Sequence, residues 1–315
     1  AACASADRDL PLAPGSDARL WNGLRASLRR AGATDAVYLA RHVDVPGDFW
    51  EALTHDDQST AAVAAACGLA EADVAAFFAL FTAHPRTVTA WSQGSNQSSS
   101  GTDNVSAILN AHLATGRIGK PGASPFSLTG QPNAMGGREV GGLANSLAAH
   151  IGFGDAAGAE IVRNFWDAPA MATQPGLKAV DLFDALGAGK IKALWIIATN
   201  PAVSMPELAK VRASLADAPF VVVSDVVTAT DTLAFADVRL PALAWGEKTG
   251  SVTNSERRGS RQHAFLPAPG EARADWTALA QVAARLGFAA DFAWPDAAAV
   301  RAEHAALTAL TGKAL

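Results

Sequence analysis

Three short apolar runs in the second half of the chain constrain its fold most strongly. Residues 191–198 (IKALWIIA) form a continuous apolar stretch with the length of a strand that is buried on both faces. Residues 220–223 and 238–240 are two more, and residues 208–215 have the apolar spacing of a helix between the first two. A strand, a crossover helix and a second strand predict a doubly wound parallel sheet, with ligand-binding groups at the carboxyl ends of its strands.

Polar residues follow two of these predicted strands. Thr199, Asn200 and Pro201 come directly after the first strand, and Ser224 and Asp225 directly after the second. A carboxylate at such a position can accept hydrogen bonds from a ribose diol or from the N1 and N2 donors of guanine. Helix capping would explain either group considered separately, whereas two such strand ends side by side favour a nucleotide site.

The first half of the chain combines helices with one strand that leads into a polar loop. Apolar spacing predicts helices over residues 17–31, with Asp17 as the cap, and over residues 60–66, 72–82 and 103–115. Residues 87–92 form a β-branched and aromatic run that ends in the loop GSNQSSSGTDN, residues 94–104. A strand that ends in such a loop is where α/β folds bind ligands.

Residues 116–142 are rich in glycine and proline, and polar side chains are interspersed among them. One interpretation is a loop that brings backbone and amide groups close to a polar ligand. The other is a flexible interdomain linker. The polar side chains favour the first interpretation, and they are Arg117, Lys120, Gln131, Asn133, Arg138 and Glu139. We expect a helical stretch to follow, up to residue 150.

A second polar segment covers residues 245–261 (WGEKTGSVTNSERRGSR). Its adjacent arginines, Arg257 and Arg258, follow Glu256, and guanidinium groups in such a cluster can form bidentate hydrogen bonds with phosphate or another oxyanion. The same composition also fits a solvated surface loop. Both interpretations remain open at the level of the sequence.

Charge and motif content argue against several function classes. The 315 residues carry a formal net charge of -5 without a run of like charges, so we predict no nucleic-acid partner. Because no stretch has the length of a membrane span or the pattern of a signal peptide, we expect no membrane partner and a cytoplasmic location. Cys3 and Cys67 are too far apart to indicate a zinc site or a disulfide framework. The sequence contains no HExxH, GxGxxG, Walker or GxSxG motif, so hydrolase and nicotinamide chemistry are poorly supported.

Seven segments in a fixed order carry a resemblance to a known family. They are PGSD (14–17), WSQGSNQSSSGTDN (91–104), HLATGRIGKPG (112–122), PFSLTGQPNAMGGREVGGLAN (125–145), ALWIIATNPAVSMP (193–206), SD with TATDTLAFADVRLPA (224–225 and 228–242), and GSVTNSERRGSRQ (250–262). Together they resemble the molybdopterin oxidoreductases, and within that family the assimilatory nitrate reductases. The resemblance covers almost the whole chain.

This resemblance implies an α/β fold with two doubly wound Rossmann-like domains of the molybdopterin oxidoreductase type, present here incompletely. We expect part of the first dinucleotide-binding domain in residues 1–122 and a Gly-rich active-site loop in residues 123–145. The second dinucleotide-binding domain is expected in residues 146–290, followed by a C-terminal helical tail in residues 291–315.

The cofactor that the resemblance implies is a molybdenum bis(molybdopterin guanine dinucleotide), in which two pyranopterin guanine dinucleotides bind one molybdenum. Asp17 matches a guanine-side contact for one dinucleotide. The residues that match contacts for the other are Asn200, Ser224, Asp225 and Asp237. The residues expected near pterin or pyrophosphate are Gly94, Asn96, Gln97, Thr253 and Asn254.

Nitrate is the substrate that the resemblance implies. Reduction of this small planar anion to nitrite by oxygen-atom transfer needs a guanidinium and amide donors near the metal rather than a protein nucleophile. Arg138 and Gln131 match the family positions that face the nitrate pocket, and Arg138 is the first candidate. A purely structural Arg138, bonded to loop carbonyls, is the alternative. An electron-donor protein or reductase subunit would supply the electrons.

The family pattern also contains parts that this chain does not. A full-length parent would carry a cysteine cluster for a [4Fe-4S] centre and a cysteine that ligates molybdenum, so we predict no metal ligand within this chain. Cys3 lies too close to the PGSD segment and matches a strand region, whereas Cys67 is interpreted as a small buried apolar residue. We therefore expect a fragment without nitrate reductase activity of its own.

Two alternatives share the same fold: a formate dehydrogenase-type enzyme and a metal-free scaffold subunit. The segment 125–145 favours nitrate over formate. The retained polar residues Gln131, Arg138, Asn200 and Asp225 favour an active parent over a scaffold.

Overall fold

The computed structural model of the protein describes residues 2–53 and 57–313. The chain divides into two compact units, residues 1–130 and 131–315. The division between residues 130 and 131 lies inside the glycine-rich segment 116–142.

The first unit combines helices with a two-stranded parallel sheet. Val88 of the first strand lies opposite Ser124 of the second, and Trp91 lies opposite Ser127. Short 3-10 helices occur at Ala2–Ser5 and Glu51–Leu53. The other elements are α1 (Asp17–Arg30), α2 (Ala36–His42), α3 (Thr60–Cys67), α4 (Glu71–Ala83), β1 (Val88–Trp91), α5 (Gln93–Asn96), α6 (Gly101–Ala114) and β2 (Ser124–Ser127).

The helices of the first unit form because their apolar residues recur at helical spacing and are buried together. Leu24 and Leu28 of α1 are fully buried and pack in one cluster with Val63 of α3 and Val74 of α4. Each such side chain contributes roughly 1.5–3 kcal/mol to stability. Cys67 is fully buried in the same cluster, which confirms its interpretation as a small buried apolar residue.

Within the described part of the chain, no single helix is long and apolar enough to cross a membrane. By length and composition α3 and α4 would qualify together, but a bend of 113° separates them.

The second unit contains the three-stranded parallel sheet and an antiparallel hairpin. Short 3-10 helices occur at Ala148–His150, Thr232–Phe235 and Trp245–Glu247. The other elements are α7 (Ala134–Glu139), α8 (Ala156–Phe165), α9 (Ala179–Gly187), β3 (Leu194–Ile197), α10 (Pro201–Ser204), α11 (Leu208–Ala216), β4 (Val221–Asp225), β5 (Val238–Pro241), β6 (Gly250–Thr253), β7 (Gly259–Gln262), α12 (Asp275–Arg285) and α13 (Ala297–Leu310).

The three strands of the parallel sheet lie in the order β3, β4, β5, with Ile197 opposite Ser224 and Asp225 opposite Pro241. Leu186 of α9 and other buried side chains of α9 and α11 pack with those of the strands in one core cluster. The predicted strand, helix, strand pattern is therefore confirmed. The register brings the carboxyl ends of β3 and β4 to the same edge of the sheet.

A further core cluster joins α13 to the segment that follows the glycine-rich loop. Leu307 of α13 is fully buried and packs with Leu147, Ile151 and Val162. The predicted C-terminal tail, residues 291–315, thus contains a helix that contributes to the core of the second unit.

Several local predictions were wrong. Asp17 is the first residue of α1 rather than its cap, because Ser16 occupies that position. The segment around Cys3 forms a 3-10 helix, not a strand. The expected helical stretch up to residue 150 is replaced by a single 3-10 turn, in which Ala149 and His150 have φ values of 58° and 56°.

The glycine-rich segment also proved more regular than a loop. It contributes the strand β2 and the short helix α7.

Candidate functional site

A pocket of about 220 Å³ lies at the carboxyl ends of β3 and β4. The residues that follow β3 and the last two residues of β4 form much of its wall, as expected for a parallel sheet, in which such ends meet at one edge. The lining residues are Ala198, Thr199, Asn200, Ser224, Asp225, Val226, Ala242, Lys248 and Asp275.

Asp225 is fixed at the pocket by its own turn. Its Oδ1 accepts hydrogen bonds from the backbone N–H groups of Val226, at 2.7 Å, and Val227, at 3.3 Å. Among the described residues, none hydrogen-bonds to Oδ2. One carboxylate oxygen thus orients the group, and the other remains an acceptor for a ligand.

Asn200 is oriented by a different contact. Its Oδ1 accepts hydrogen bonds from the backbone N–H of Thr232, at 3.2 Å, and from the Thr232 hydroxyl, at 2.6 Å. Because this network assigns the amide oxygen to Thr232, the Nδ2 group is left as a donor. Ala198, two residues earlier, has a φ of 57°, a conformation that costs energy in a residue other than glycine and is often found at functional sites.

Ser224 has a structural contact at the same strand end. It is 4% exposed, and its hydroxyl oxygen accepts a hydrogen bond of 2.9 Å from the indole N–H of Trp195 on β3. The side chain therefore ties β3 to β4, and its own O–H proton is still available to a ligand.

Two charged pocket residues were not among the predicted site residues. Lys248 Nζ lies 3.5 Å from the carboxylate of Asp275 at the start of α12, and both side chains are about one-third exposed. In the sequence, Lys248 is only one residue of the polar segment 245–261, and no motif marks Asp275. An ammonium and a carboxylate at the rim make the pocket polar on this side.

Asp237 lies elsewhere. It directly precedes β5, and its Oδ2 accepts a hydrogen bond of 2.7 Å from the backbone N–H of Val221 at the start of β4. These positions are at the amino ends of the strands. The structure therefore does not bring Asp237 together with Asn200, Ser224 and Asp225.

In the first unit, the structure brings Asp17 close to the turn that follows β1. The Ser95 hydroxyl donates to Asp17 Oδ1 at 3.1 Å, and Ser95 lies within the same short helix, α5, as the exposed Gly94 and Asn96. Gln97 follows directly and is also exposed. Asp17, the predicted guanine contact, thus lies beside three of the residues predicted near pterin or pyrophosphate.

The backbone at Gly101 comes very close to the backbone of Asn96 beside these residues. A Cβ on Gly101, at the start of α6, would lie 2.1 Å from the carbonyl oxygen of Asn96. Only glycine fits at this position without a shift of the backbone. Asn104 Nδ2 adds a hydrogen bond of 3.1 Å to the Ser95 carbonyl.

The helix α7, which carries Arg138, contacts the hairpin strand β6 within the second unit. Arg138 lies in the last turn of α7, and both Arg138 and Gln131 are exposed. Asn133, at the start of α7, accepts a hydrogen bond of 2.9 Å through Oδ1 from the backbone N–H of Thr253. The Gly-rich loop is thereby joined to the end of β6.

Asn254 closes the turn of the β6–β7 hairpin. Its Oδ1 accepts hydrogen bonds from the backbone N–H groups of Glu256, at 3.0 Å, and Arg258, at 2.9 Å. The side-chain oxygen is thus already used within the turn.

A cluster of charged and polar side chains around the buried Glu139 lies beside the loop, and no pattern in the sequence indicates it. Glu139 is 1% exposed, it binds Arg257 through two hydrogen bonds, and its Oε1 lies 3.2 Å from His150 Nε2. Hydrogen bonds from Arg257 hold the pKa of the Glu139 carboxyl below its ordinary value, although burial acts in the opposite direction. Arg257 therefore does form the bidentate contact considered for this segment, but with a carboxylate of the protein itself.

No group of three or more His, Cys, Asp or Glu side chains within residues 2–53 and 57–313 is arranged to hold a metal ion.

Known proteins resemble this chain over most of its length. A family model described as molybdopterin oxidoreductase matches residues 2–285. The nitrate reductase of Klebsiella oxytoca is 52% identical over 309 residues, which cover 98% of this chain and 35% of the relative. For the nitrate reductase of Shewanella frigidimarina the identity is 45% over 304 residues, covering 96% and 32%. The assimilatory nitrate reductase of Haloferax mediterranei is 35% identical over 285 residues, covering 90% and 38%.

Among solved structures, acetylene hydratase from Pelobacter acetylenicus superimposes with a TM-score of 0.71 at 17% identity, covering 98% of this chain and 44% of that one. This likeness concerns the fold, and together with the family match it confirms the predicted α/β class of the molybdopterin type. The chain spans about a third of the length of the nitrate reductases named above. Because the family model matches most of its residues, the chain belongs to the molybdopterin oxidoreductase family.

Proposed function

We propose that the parent protein is a molybdenum-dependent assimilatory nitrate reductase, and that this segment binds its bis(molybdopterin guanine dinucleotide) cofactor and shapes the nitrate site. The names of the relatives support the substrate. The observation that carries the cofactor assignment is the oriented carboxylate of Asp225 in the pocket at the ends of β3 and β4.

The donor and acceptor groups of this pocket fit a guanine nucleotide. Guanine presents two neighbouring N–H donors, and Asp225 offers Oδ2 as an acceptor on a carboxylate that its own turn holds in place. Asn200 adds an amide donor, and the exposed side chain of Val226 adds an apolar surface. Lys248 supplies a positive charge toward the phosphates. These are the residues that would hold one dinucleotide.

We assign the second dinucleotide to the first unit, where Asp17 would contact guanine. The turn with Gly94, Asn96 and Gln97 has exposed backbone and amide groups, which suit a pyrophosphate or a pterin edge. The hydrogen bond from Ser95 to Asp17 would hold the carboxylate at this turn.

In the proposed reaction, nitrate takes up two electrons and two protons and yields nitrite and water. When bound, the molybdenum cofactor would supply the electron-transfer and oxygen-atom-transfer chemistry. The residues of this chain act on the anion: the Arg138 guanidinium would donate paired N–H groups to nitrate oxygens, and the Gln131 amide would donate one more. The electron donor, the [4Fe-4S] cluster of the full-length parent and the cytoplasmic location belong to the same proposal.

A nucleotide analysis of the full-length parent tests the cofactor assignment. The purified protein is hydrolysed, and the released guanosine monophosphate and the molybdenum are quantified for the wild type, Asp225→Asn and Asp181→Asn. Asn at position 225 can keep the acceptor for the turn but replaces Oδ2 by a donor, so we expect a fall in nucleotide and molybdenum content. Asp181 is exposed on α9 and serves as the matched control with wild-type content.

Two guanine nucleotides per molybdenum in the wild type would support the proposal. A different nucleotide, or an Asp225→Asn protein with full content, would contradict it. A wild-type parent without molybdenum would instead indicate a scaffold subunit of the same fold.

A further inference from the structure

We propose that Glu139 is a positioning residue for Arg138: it anchors α7 to the β6–β7 hairpin and so fixes where the Arg138 guanidinium is presented. The inference rests on the proposed role of Arg138 in the nitrate site. It concerns the neighbouring residue, to which neither the family resemblance nor the relatives assign a role.

The anchor at the carboxyl end of α7 is an ion pair between the buried carboxylate of Glu139 and the partly exposed guanidinium of Arg257. Arg257 Nε lies 2.6 Å from Glu139 Oε1, and Nη2 lies 3.1 Å from Oε2. His150 Nε2 lies 3.2 Å from Oε1. A carboxylate that is 1% exposed needs such contacts, because an unpaired charge would be strongly destabilising there.

The partners of Glu139 hold strained backbone conformations. Arg257 has a φ of 63° and His150 a φ of 56°, in the left-handed region that residues other than glycine rarely adopt. Such conformations cost energy and persist only where surrounding contacts determine them. Both of these strained residues contact the same carboxylate, Arg257 through two hydrogen bonds and His150 at 3.2 Å, so Glu139 is a contact that they share.

Further hydrogen bonds fix the partners. Arg257 Nη2 also donates to the carbonyl oxygen of Lys313 at 2.6 Å. In return, Lys313 Nζ donates to the carbonyl oxygens of Ala149 and His150 at 3.1 and 3.2 Å. These contacts link four residues in a ring, which we call the Glu139 cluster: Glu139, His150, Arg257 and Lys313.

A second anchor holds the amino end of α7. Asn133 Oδ1 accepts the hydrogen bond from the Thr253 N–H at 2.9 Å, and Gly136 leaves the space for it, since a Cβ there would lie 2.2 Å from that oxygen. The helix has six residues and two glycines, so its own helix propensity is low. Contacts at both ends, rather than propensity, thus determine its position.

Arg138 is placed by this arrangement. Adjacent residues on a helix point in directions about 100° apart, so a Glu139 that is held in the interior directs Arg138 away from it. Arg138 is exposed, and it makes no hydrogen bond or ion pair with another described residue. The position of α7 therefore sets where the Arg138 side chain leaves the backbone, and its guanidinium remains available to an anion.

The test uses the full-length parent enzyme with an artificial electron donor. The variants are Glu139→Gln, Arg138→Ala, the double variant, and Glu160→Gln as an exposed control on α8. KM and kcat for nitrate, molybdenum content and hydrogen exchange of residues 136–140 are measured for each. For Glu139→Gln we expect a rise in the KM for nitrate of about tenfold to a hundredfold, with molybdenum content retained and faster exchange of α7.

The double variant separates positioning from a general structural role. If Glu139 acts through Arg138, the Glu139→Gln substitution adds less than about twofold to the KM once Arg138 is already Ala. If the two substitutions multiply their effects on the KM in the double variant, the inference is overturned. A Glu139→Gln protein with wild-type KM and wild-type hydrogen exchange of α7 would also overturn it. A wild-type KM for Arg138→Ala would instead overturn the proposed role of Arg138.

Arg257→Lys provides a second route if Glu139→Gln yields little holoenzyme. Lysine keeps the positive charge but cannot form the bidentate contact, so a smaller rise in KM in the same direction is expected. An unchanged KM in that variant, with exchange of α7 also unchanged, would contradict the inference.

Discussion

Asn200 and Thr232, which are 32 residues apart in sequence, hydrogen-bond through both the backbone N–H and the hydroxyl of Thr232. Thr232 is fully buried, and its Oγ1 also accepts a hydrogen bond of 3.1 Å from the backbone N–H of Ala202. One hydroxyl thus joins the strand end after β3 to the connection between β4 and β5. The orientation of the Asn200 amide at the pocket depends on it.

Thr232→Val should destabilise the protein and disturb the pocket. The substitution keeps the shape of the side chain but leaves the Ala202 N–H without its buried partner, which costs about 1–3 kcal/mol. Urea unfolding measures the loss. Thr232→Ser keeps the hydroxyl and should retain most of the stability, so equal stability of the Val and Ser variants would contradict this account.

Gly101→Ala should disrupt the turn beside Asp17, because its Cβ would collide with the Asn96 carbonyl at 2.1 Å. Gly94→Ala is the matched substitution beside it, because among the described residues, apart from its neighbours along the chain and in its helix, none comes within 4 Å of a Cβ at Gly94. We expect a lower melting temperature for Gly101→Ala only. If Gly94 approaches the cofactor as predicted, Gly94→Ala should lower the cofactor content of the parent without affecting its melting temperature. A Gly101→Ala protein as stable as the wild type would show that the backbone approach is not required.

The free energy of unfolding should decrease as the pH is lowered, because of His112. Burial, together with the charge of Arg117, lowers the pKa of this imidazole to about 4 in the folded protein, against about 6.5 when unfolded. The unfolded chain therefore binds more protons between these values. The contribution is fully present above pH 6.5 and is lost as the pH falls toward 4, by roughly 3 kcal/mol in total.

Urea titrations at pH 7.5 and pH 5 check this prediction. His112→Gln, which cannot titrate, should flatten the pH dependence, whereas the exposed His263→Gln should leave it unchanged. An identical pH dependence in wild type and His112→Gln would refute the assignment.

The sequence predicted the helices and strands whose buried apolar residues recur at a regular spacing along the chain. The leucines of α1 and the valines of β4 recur at the period of a helix or within a buried strand, so each segment carries its own signal. The same reasoning placed Asn200, Ser224 and Asp225 at one edge, and all three line the pocket. Asp237 directly precedes β5, so it lies at the amino end of that strand. In a parallel sheet this end is opposite the edge with Asn200, Ser224 and Asp225, and the sequence position alone could have predicted that.

The elements that the sequence did not predict depend on distant contacts. The helix α7 contains two glycines and exists where Asn133 meets Thr253 and Glu139 meets Arg257, pairs that are 120 and 118 residues apart. No local pattern encodes such pairs. Likewise, Lys248 and Asp275 come together at the pocket only because the chain folds back after the β6–β7 hairpin.

Molybdenum-dependent nitrate reduction, with Arg138 at the nitrate site, is tested by measuring nitrate reduction and molybdenum content of the full-length parent, with an artificial electron donor, for wild type and Arg138→Lys. We predict that the wild type contains molybdenum and reduces nitrate. Lysine keeps the charge but not the paired N–H donors, so Arg138→Lys should retain the metal and lose about a hundredfold or more in kcat/KM. A wild-type protein that holds molybdenum but does not reduce nitrate, or one that is metal-free and inert, would contradict the account.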